Sequence, residues 1–192
     1  MKTQPVKILC LICIINIAWY VVPEGVYSLS QGVIELSGST EVDNWIMKSS
    51  EMESTGTFSL KNGKLAVVSP FHFSMYVKSL KSSNPIRDAA IYKYLRSYPN
   101  EKIYFRHIRT EIRQEATGKH LLKITGNINI AGITQITVLN LRSTTYTHQI
   151  KMSGTTVLKM SKFQVFPKNV PGSSTYDDNV RVSLDLVFSD AN

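Results

Sequence analysis

Few residues of this sequence have the types and spacing that catalysis requires. The four histidines, His72, His107, His120 and His148, are scattered along the chain. None lies in a G-x-S-x-G, H-E-x-x-H or glycine-rich phosphate-binding motif. A hydrolase would need His107 or His120 to meet a serine or aspartate in a pocket. That alternative remains open, but the pattern favours a protein that is not an enzyme.

Two pairs of residues have side chains that bind metals in other proteins. Cys10 and Cys13 have the C-x-x-C spacing of redox and zinc sites, but they lie inside an apolar N-terminal segment. Asp177 and Asp178 could ligate calcium, although their serine- and threonine-rich surroundings are more typical of a solvated turn. A metal site formed by histidines from different strands is a further alternative. We expect no metal site and no cofactor.

The first 28 residues have the pattern of a secretory signal peptide. Lys2 and Lys7 precede an apolar run of about 15 residues at 8–22, ILCLICIINIAWYVV. Pro23, Glu24 and Gly25 end this run, and Val26 and Ser28 are small enough at the two positions that a peptidase reads, which predicts cleavage after Ser28. An uncleaved anchor is the alternative, but roughly 20 apolar residues are needed to span a bilayer. We therefore expect a domain over residues 29–192 that is periplasmic or otherwise exported, with no transmembrane segment after cleavage.

The charge of the chain is basic but dispersed. The formal net charge is +8, and without Lys2, Lys7 and Glu24 it is +7, from 20 basic and 13 acidic residues. Basic surfaces attract phosphates, nucleic acids and anionic lipids. The sequence has no block of more than two consecutive basic residues. A solvated surface of mixed charge explains this pattern, and together with export it argues against nucleic acid as a partner.

Alternating apolar residues predict long β-strands after the leader. In residues 121–130, Leu122, Ile124, Ile128 and Ile130 alternate with polar side chains. Successive side chains of a strand point to opposite faces, so this strand has one apolar face. Ala131 and Gly132 turn it into a second strand at 133–142. Further strands are predicted at 33–38, 57–60, 65–77, 102–114, 144–152, 155–161 and 180–188, with turns at 62–63, 117–119 and 153–154.

One helix interrupts the strands. Residues 89–98, AAIYKYLRSY, place apolar side chains at helical spacing. Asp88 is a suitable N-cap because its carboxylate can accept an amide hydrogen of the first turn. Pro99 predicts the end of the helix.

Consecutive antiparallel strands with short turns favour a closed barrel, because closure with about eight strands leaves no exposed edge. A two-sheet sandwich is the alternative, although it usually needs longer connections. An eight-stranded barrel can be filled by side chains or hold a small ligand, and the pattern leaves both open. The predicted inner face comprises Phe71, Phe73, Met75, Ile124, Ile128, Ile130, Met160, Val182, Leu184 and Leu186.

Several segments, in the right order, resemble the YceI-like proteins. The closest is the hairpin at 126–134, GNINIAGIT, which is similar to the family pattern G-x-L-x-I-x-G-V-T. The matching segments lie at 38–45, 77–82, 87–88, 94–99, 103–105, 126–134, 158–163 and 178–180. Asp43, Asn44 and Gln135 depart from the family pattern, in which His, Asp and a basic residue are usual.

The resemblance implies an all-β, lipocalin-like antiparallel eight-stranded barrel with one short helix, exported to the periplasm. It also implies a non-catalytic protein that binds a long-chain isoprenoid or similar amphiphilic lipid inside the barrel. A packed barrel that serves as a structural or interaction module of the cell envelope is the alternative. The residues expected to contact the ligand are Phe71, Phe73, Met75, Ile128, Ile130, Met160, Leu184 and Leu186.

Overall fold

The computed structural model of the chain describes residues 24–41, 43–61, 64–116, 119–146, 148–165 and 177–190. These residues form nine strands and one α-helix, with two short 3₁₀ turns. The elements are β1 (Glu24–Ser39), β2 (Asn44–Ser49), β3 (Met52–Lys61), β4 (Lys64–Tyr76), α1 (Pro85–Tyr94), β5 (Lys102–Ala116), β6 (Lys119–Ile130), β7 (Ile133–Thr145), β8 (Gln149–Lys159) and β9 (Asn179–Asp190). No described helix is long and apolar enough to cross a membrane.

The strands close into an eight-stranded antiparallel barrel, because β1 pairs with β9 as well as with β2 and β3. One edge of β1 is shared by two strands: residues 34–39 pair with β2, and residues 24–28 pair with β3. β2 and β3 therefore act as one barrel strand that bends between Ser49 and Met52. The predicted fold class is confirmed, and the sandwich alternative is wrong.

The hairpin of β6 and β7 has the predicted alternation. Leu122, Ile124 and Ile130 are buried, and Lys123 is exposed. Ile130 pairs with Ile133 across the two turn residues. Ala131 and Gly132 have φ values of 54° and 84°, which define the positive-φ turn that matches the twist of a hairpin.

The helix begins earlier than the sequence predicts. Its N-cap is Asn84, whose side chain accepts hydrogen bonds from the amides of Ile86 and Arg87. Pro85 follows at the first helical position, where its missing N–H costs nothing. The prediction of Asp88 as the N-cap is therefore wrong. Asp88 is buried within the helix and accepts hydrogen bonds from the amide and hydroxyl of Ser82.

The prediction of a turn at Ser153 and Gly154 is also wrong. β8 runs through both residues, and the preceding turn closes where the amide of Tyr146 donates to the carbonyl of Gln149. Gly154 is needed for close approach, since a Cβ there would lie 2.4 Å from the carbonyl oxygen of Asn140. The predicted turns at 62–63 and 117–118 lie outside the described residues. The strands that flank them pair antiparallel.

The interior contains two packed clusters. Near one end of the barrel, Tyr27, Phe58, Phe71, Phe105 and Phe188 make edge-to-face ring contacts with centroids 5.5–6.1 Å apart. The second cluster lies at the other end, beneath α1 and β2. The two clusters therefore fill the two ends of the barrel, with the centre of the barrel between them.

The predicted leader boundary falls inside β1. Residues 1–23, including Cys10 and Cys13, lie outside the described residues, and β1 begins at Glu24. Tyr27 is buried in the aromatic cluster, and Ser28 pairs with Thr55 of β3 and Ser189 of β9. Cleavage after Ser28 stays a prediction, and it would remove residues that contribute to the barrel.

Candidate functional site

The centre of the barrel contains a cavity of about 100 Å³ with an apolar surface. Side chains from seven strands surround it, together with Leu95 after α1 and Met160 after β8. Thr156 is the one polar residue among those that line it. The lining residues are Ile34, Leu36, Phe71, Phe73, Met75, Leu95, Ile103, Phe105, Ile128, Ile130, Leu139, Leu141, Thr156, Leu158, Met160, Val180, Val182, Leu184 and Leu186.

All eight residues predicted to contact a ligand lie around this cavity, although their contact with a ligand stays a prediction. They are Phe71, Phe73, Met75, Ile128, Ile130, Met160, Leu184 and Leu186. Val182 of the predicted inner face also lines the cavity. Ile124 points inward but belongs to the packed aromatic cluster. The difference arises because alternation predicts the face of a side chain but not its depth along the barrel.

Sequence reasoning missed other lining residues that carried the same signal. Ile34 and Leu36 share one parity on β1, and Ile103 and Phe105 share one parity on β5. Leu95 had no such signal, because it reaches the cavity only through the position of α1 across the barrel end.

Several inward-pointing side chains around the cavity are less buried than those in the packed part of the interior. Phe73, Ile128 and Leu184 point inward yet are only half-buried, whereas Ile124 on the same face of β6 is 1% exposed. Large apolar side chains inside a protein are normally close-packed, with few voids larger than a water molecule. Their incomplete burial indicates that this part of the interior is not filled.

A second cavity of about 70 Å³ lies between α1, β2 and the turn after β8. It shares Leu36, Leu95, Met160 and Val180 with the barrel cavity, so these four side chains separate the two spaces. An engineered protein cavity of about 150 Å³ binds benzene. Each of the two cavities is therefore smaller than a long hydrocarbon tail requires.

The position of α1 over these cavities is set by polar contacts. Arg87 forms a salt bridge with Asp43 in the connection between β1 and β2. The Tyr92 hydroxyl donates to the carbonyl of Leu80, at 2.5 Å. These contacts tie the helix to the β1–β2 connection and to the segment between β4 and α1, and so position Leu95 between the two cavities.

The histidines do not assemble a site around either cavity. His72 is exposed, and His148 contacts Asp190 at 3.0 Å on the surface. The ring of His107 shares a hydrogen bond of 2.9 Å with the Thr110 hydroxyl. Burial lowers the pKa of His107, and the nearby His72 acts in the same direction.

His120 is buried opposite Ser143 of β7, and neither residue lines either cavity. The arrangement that the hydrolase alternative requires, a histidine meeting a serine in a pocket, is therefore not present at these two cavities.

Asp177 and Asp178 both accept hydrogen bonds from protein donors. Asp177 accepts hydrogen bonds from the amide and side chain of Asn179. Asp178 accepts from the amide and hydroxyl of Ser161, both at 2.8 Å. Partial desolvation opposes ionisation of Asp178, but the hydrogen bonds from Ser161 outweigh it and lower the pKa. Among the described residues, no group of three His, Cys, Asp or Glu side chains could hold a metal ion.

A family model of the YceI-like domain matches residues 35–188. The chain belongs to the YceI-like family. This confirms the resemblance that the hairpin at 126–134 carries. A comparison with curated proteins finds no match.

Solved structures share the YceI-like fold at low sequence identity. BcnA of Burkholderia cenocepacia has a TM-score of 0.67 at 14% identity, covering 81% of this chain and 95% of that chain. A polyisoprenoid binding domain from Saccharophagus degradans has a TM-score of 0.65 at 11% identity, with coverages of 85% and 98%. The Campylobacter jejuni YceI protein has a TM-score of 0.58 at 15% identity, with coverages of 72% and 82%. At these identities the likeness shows the fold alone.

Two of the three positions that depart from the YceI-like pattern make identifiable side-chain contacts. Asp43 forms the salt bridge with Arg87, and the Gln135 side chain donates to the carbonyl of Lys162 at 3.0 Å. The family residues Gly38 and Trp45 pair across β1 and β2. A Cβ on Gly38 would lie 2.5 Å from the indole ring of Trp45, so glycine is required for the ring to pack there.

Proposed function

We propose that the protein is a non-catalytic binding or carrier protein that holds the apolar tail of a long-chain isoprenoid or similar amphiphilic lipid in its barrel. The observation that carries this proposal is the incompletely filled, apolar cavity at the centre of the barrel. Removal of hydrocarbon from water contributes about 0.8 kcal/mol for each CH₂ group buried.

The composition of the cavity supports a tail rather than a charged group as the occupant. No charged side chain lines the barrel cavity, and a buried ion without a partner would be strongly unfavourable. The polar head group would lie toward the helix end, where Tyr94 and Asp177 line the second cavity. Specificity would then depend on the length and shape of the apolar channel.

A long tail would need both cavities. Leu36, Leu95, Met160 and Val180 separate them. An unbranched methionine changes rotamer with little strain, which suits Met160 to this position. We expect binding to displace these side chains and join the two spaces.

Membership of the YceI-like family and the fold shared with a polyisoprenoid binding domain support a lipid ligand. The predicted leader supports export to the periplasm. Extraction of the lipid that co-purifies with the exported protein would identify the ligand.

Native mass spectrometry of the exported protein, purified without detergent, tests this proposal. The wild type should carry a lipid-sized mass, or acquire one when isoprenoids are offered. Leu184→Trp, which fills the cavity, should abolish this mass. Asp185→Trp, on the exposed face of the same strand, is the matched control and should keep it. A wild type that never carries a lipid-sized mass would contradict the proposal.

The small volume of the cavity favours one alternative, a packed barrel that serves as a structural or interaction module of the cell envelope. In that case Phe73→Ala should cost about 3–5 kcal/mol, as expected for a large aromatic residue in a packed core. For a lipid-binding barrel without ligand, the loss at Phe73 should be clearly smaller than for Phe58→Ala in the aromatic cluster. Urea unfolding of both variants separates the two functions.

A further inference from the structure

The barrel wall is incompletely paired between β7 and β8. Residues 141–145 of β7 pair with residues 150–154 of β8. Residues 133–140 of β7 and residues 155–159 of β8 have no ladder pairing with each other, and all of these residues are described. We call this unpaired stretch the seam. Each strand still pairs on its other edge, β7 with β6 and β8 with β9.

Two side-chain hydrogen bonds bridge the seam. The Thr156 hydroxyl donates to the carbonyl of Val138 at 3.4 Å. Farther toward the helix end, the Gln135 side chain donates to the carbonyl of Lys162 at 3.0 Å. Such contacts can break and re-form without disturbing the ladders on either side, so the seam can open more easily than a paired part of the wall.

The seam connects an apolar interior with an apolar exterior. On the inside, Leu139 and Leu158 stand on its two edges and line the barrel cavity. On the outside, Ile136 is 72% exposed and Val157 is 52% exposed. Side chains of this kind on an outer face are unfavourable in water but favourable against hydrocarbon.

Exposed cations lie on the β8 side of this outer strip. Lys159, Lys162 and Arg181 are exposed, and none of them is in a salt bridge among the described residues. Arg181 pairs with Val157 across β8 and β9, which places the cation beside the apolar strip. Basic side chains near a bilayer are attracted to its surface when the lipids are anionic.

We propose that the seam is a lateral portal that docks on an anionic lipid surface and passes the tail between that surface and the cavity. Ile136 and Val157 contact the lipid, and Lys159, Lys162 and Arg181 contact the head groups. The inference rests on the proposed function, since a portal has no use unless the cavity holds a tail.

Transfer of all-trans-retinol, a fluorescent isoprenoid alcohol, from vesicles of phosphatidylcholine and phosphatidylglycerol tests the portal. Ile136→Asp and Val157→Asp should each slow uptake about tenfold, because they place a carboxylate against anionic lipid. Their affinity for retinol supplied in free solution should stay within about twofold of the wild type. Omitting phosphatidylglycerol should slow uptake by the wild type.

Ile86→Asp is the matched control, because Ile86 is also a highly exposed isoleucine but lies at the start of α1. It should take up retinol at the wild-type rate. If Ile86→Asp takes up retinol slowly and both seam variants take it up at the wild-type rate, the tail enters at the helix end and the proposed portal is wrong. If the wild type binds no retinol in free solution, the proposed function fails and the portal fails with it. Thermal unfolding of each variant checks that these exposed substitutions leave the fold intact.

Discussion

Ile124 and Ile128 lie on the same face of β6 but have different surroundings. Ile124 is enclosed by the packed aromatic cluster, whereas Ile128 is half-buried beside the cavity. Identical side chains on one strand therefore differ in how much extra volume their neighbourhood can accept. This contrast offers a direct measure of the void.

Enlarging the two isoleucines should have different consequences. Ile124→Phe should destabilise the protein by about 1–3 kcal/mol, because added volume in a packed core forces strain. Ile128→Phe should cost less than Ile124→Phe, or stabilise the protein, because the ring enters free space. Urea denaturation of the two variants measures the difference. Equal losses would indicate that the interior around Ile128 is packed.

His107 makes stability depend on pH in a defined direction. Burial lowers its pKa in the folded state from an ordinary value of 6.5. Its contribution to stability is therefore complete above pH 6.5 and falls as the pH drops toward the folded pKa, since the unfolded chain binds the proton first. The effect should be small because the ring is partly exposed.

His107→Gln can still hydrogen-bond the Thr110 hydroxyl but does not titrate. This variant should show a shallower loss of stability than the wild type as the pH falls below about 6.5. Denaturation midpoints measured across this range check the prediction. A pH dependence identical to that of the wild type would show that His107 is not responsible for any part of it.

At the scale of elements, β7 and β8 combine a paired half and an unpaired half. The paired half lies near the aromatic end and the seam lies toward the helix end. Backbone ladder hydrogen bonds hold the paired parts of neighbouring strands together. Across the seam, β7 is held to β8 and to the turn that follows β8 by side-chain hydrogen bonds. The free energy needed to separate β7 from β8 should therefore be lower at the seam than in the paired half.

Amide hydrogen exchange should reveal this difference. Amides of 133–140 and 155–159 that point into the seam should exchange faster than those that join 141–145 to 150–154, because they lack ladder partners across it. Thr156→Val should increase exchange at the seam further, whereas Thr155→Val should not. Uniform protection along both strands would contradict the description of the seam.

At the scale of the whole molecule, closure of the barrel depends on its first strand. Residues 24–28 pair with β3, and residues 34–39 pair with β2, while much of β1 also pairs with β9. Tyr27 fills part of the aromatic end. A chain without residues 24–28 would lose both the pairing to β3 and this ring.

Two chains that begin at Glu24 and at Leu29 test this dependence. The chain from Leu29 should be less stable by at least about 3 kcal/mol, as expected for loss of a buried aromatic ring. Calorimetry of the two chains measures the difference. N-terminal mass analysis of the exported protein would show whether cleavage occurs after Ser28 or leaves residues 24–28 in place. Equal stability would mean that β1 can close the barrel from Leu29.

The sequence by itself determined which faces of the strands point inward. Side chains alternate along a strand whatever the rest of the protein does, so Phe71, Phe73 and Met75 could be assigned to the interior. The order of strands and short turns likewise predicted a barrel. A single residue type predicted local structure less well where it can serve two purposes. Gly154 suggested a turn, but it allows the close approach of β7. Asp88 suggested a helix cap, but its carboxylate accepts a hydrogen bond from Ser82.

Only the tertiary structure decided whether the interior is filled and where the wall is weak. Packing depends on the summed volumes of side chains that seven strands, Leu95 and Met160 bring together, and no local pattern contains that sum. The seam depends on how far β7 and β8 diverge, which is set by the closure of the whole sheet. Alternation is a property of each strand alone, whereas a cavity and an opening are properties of all the strands together.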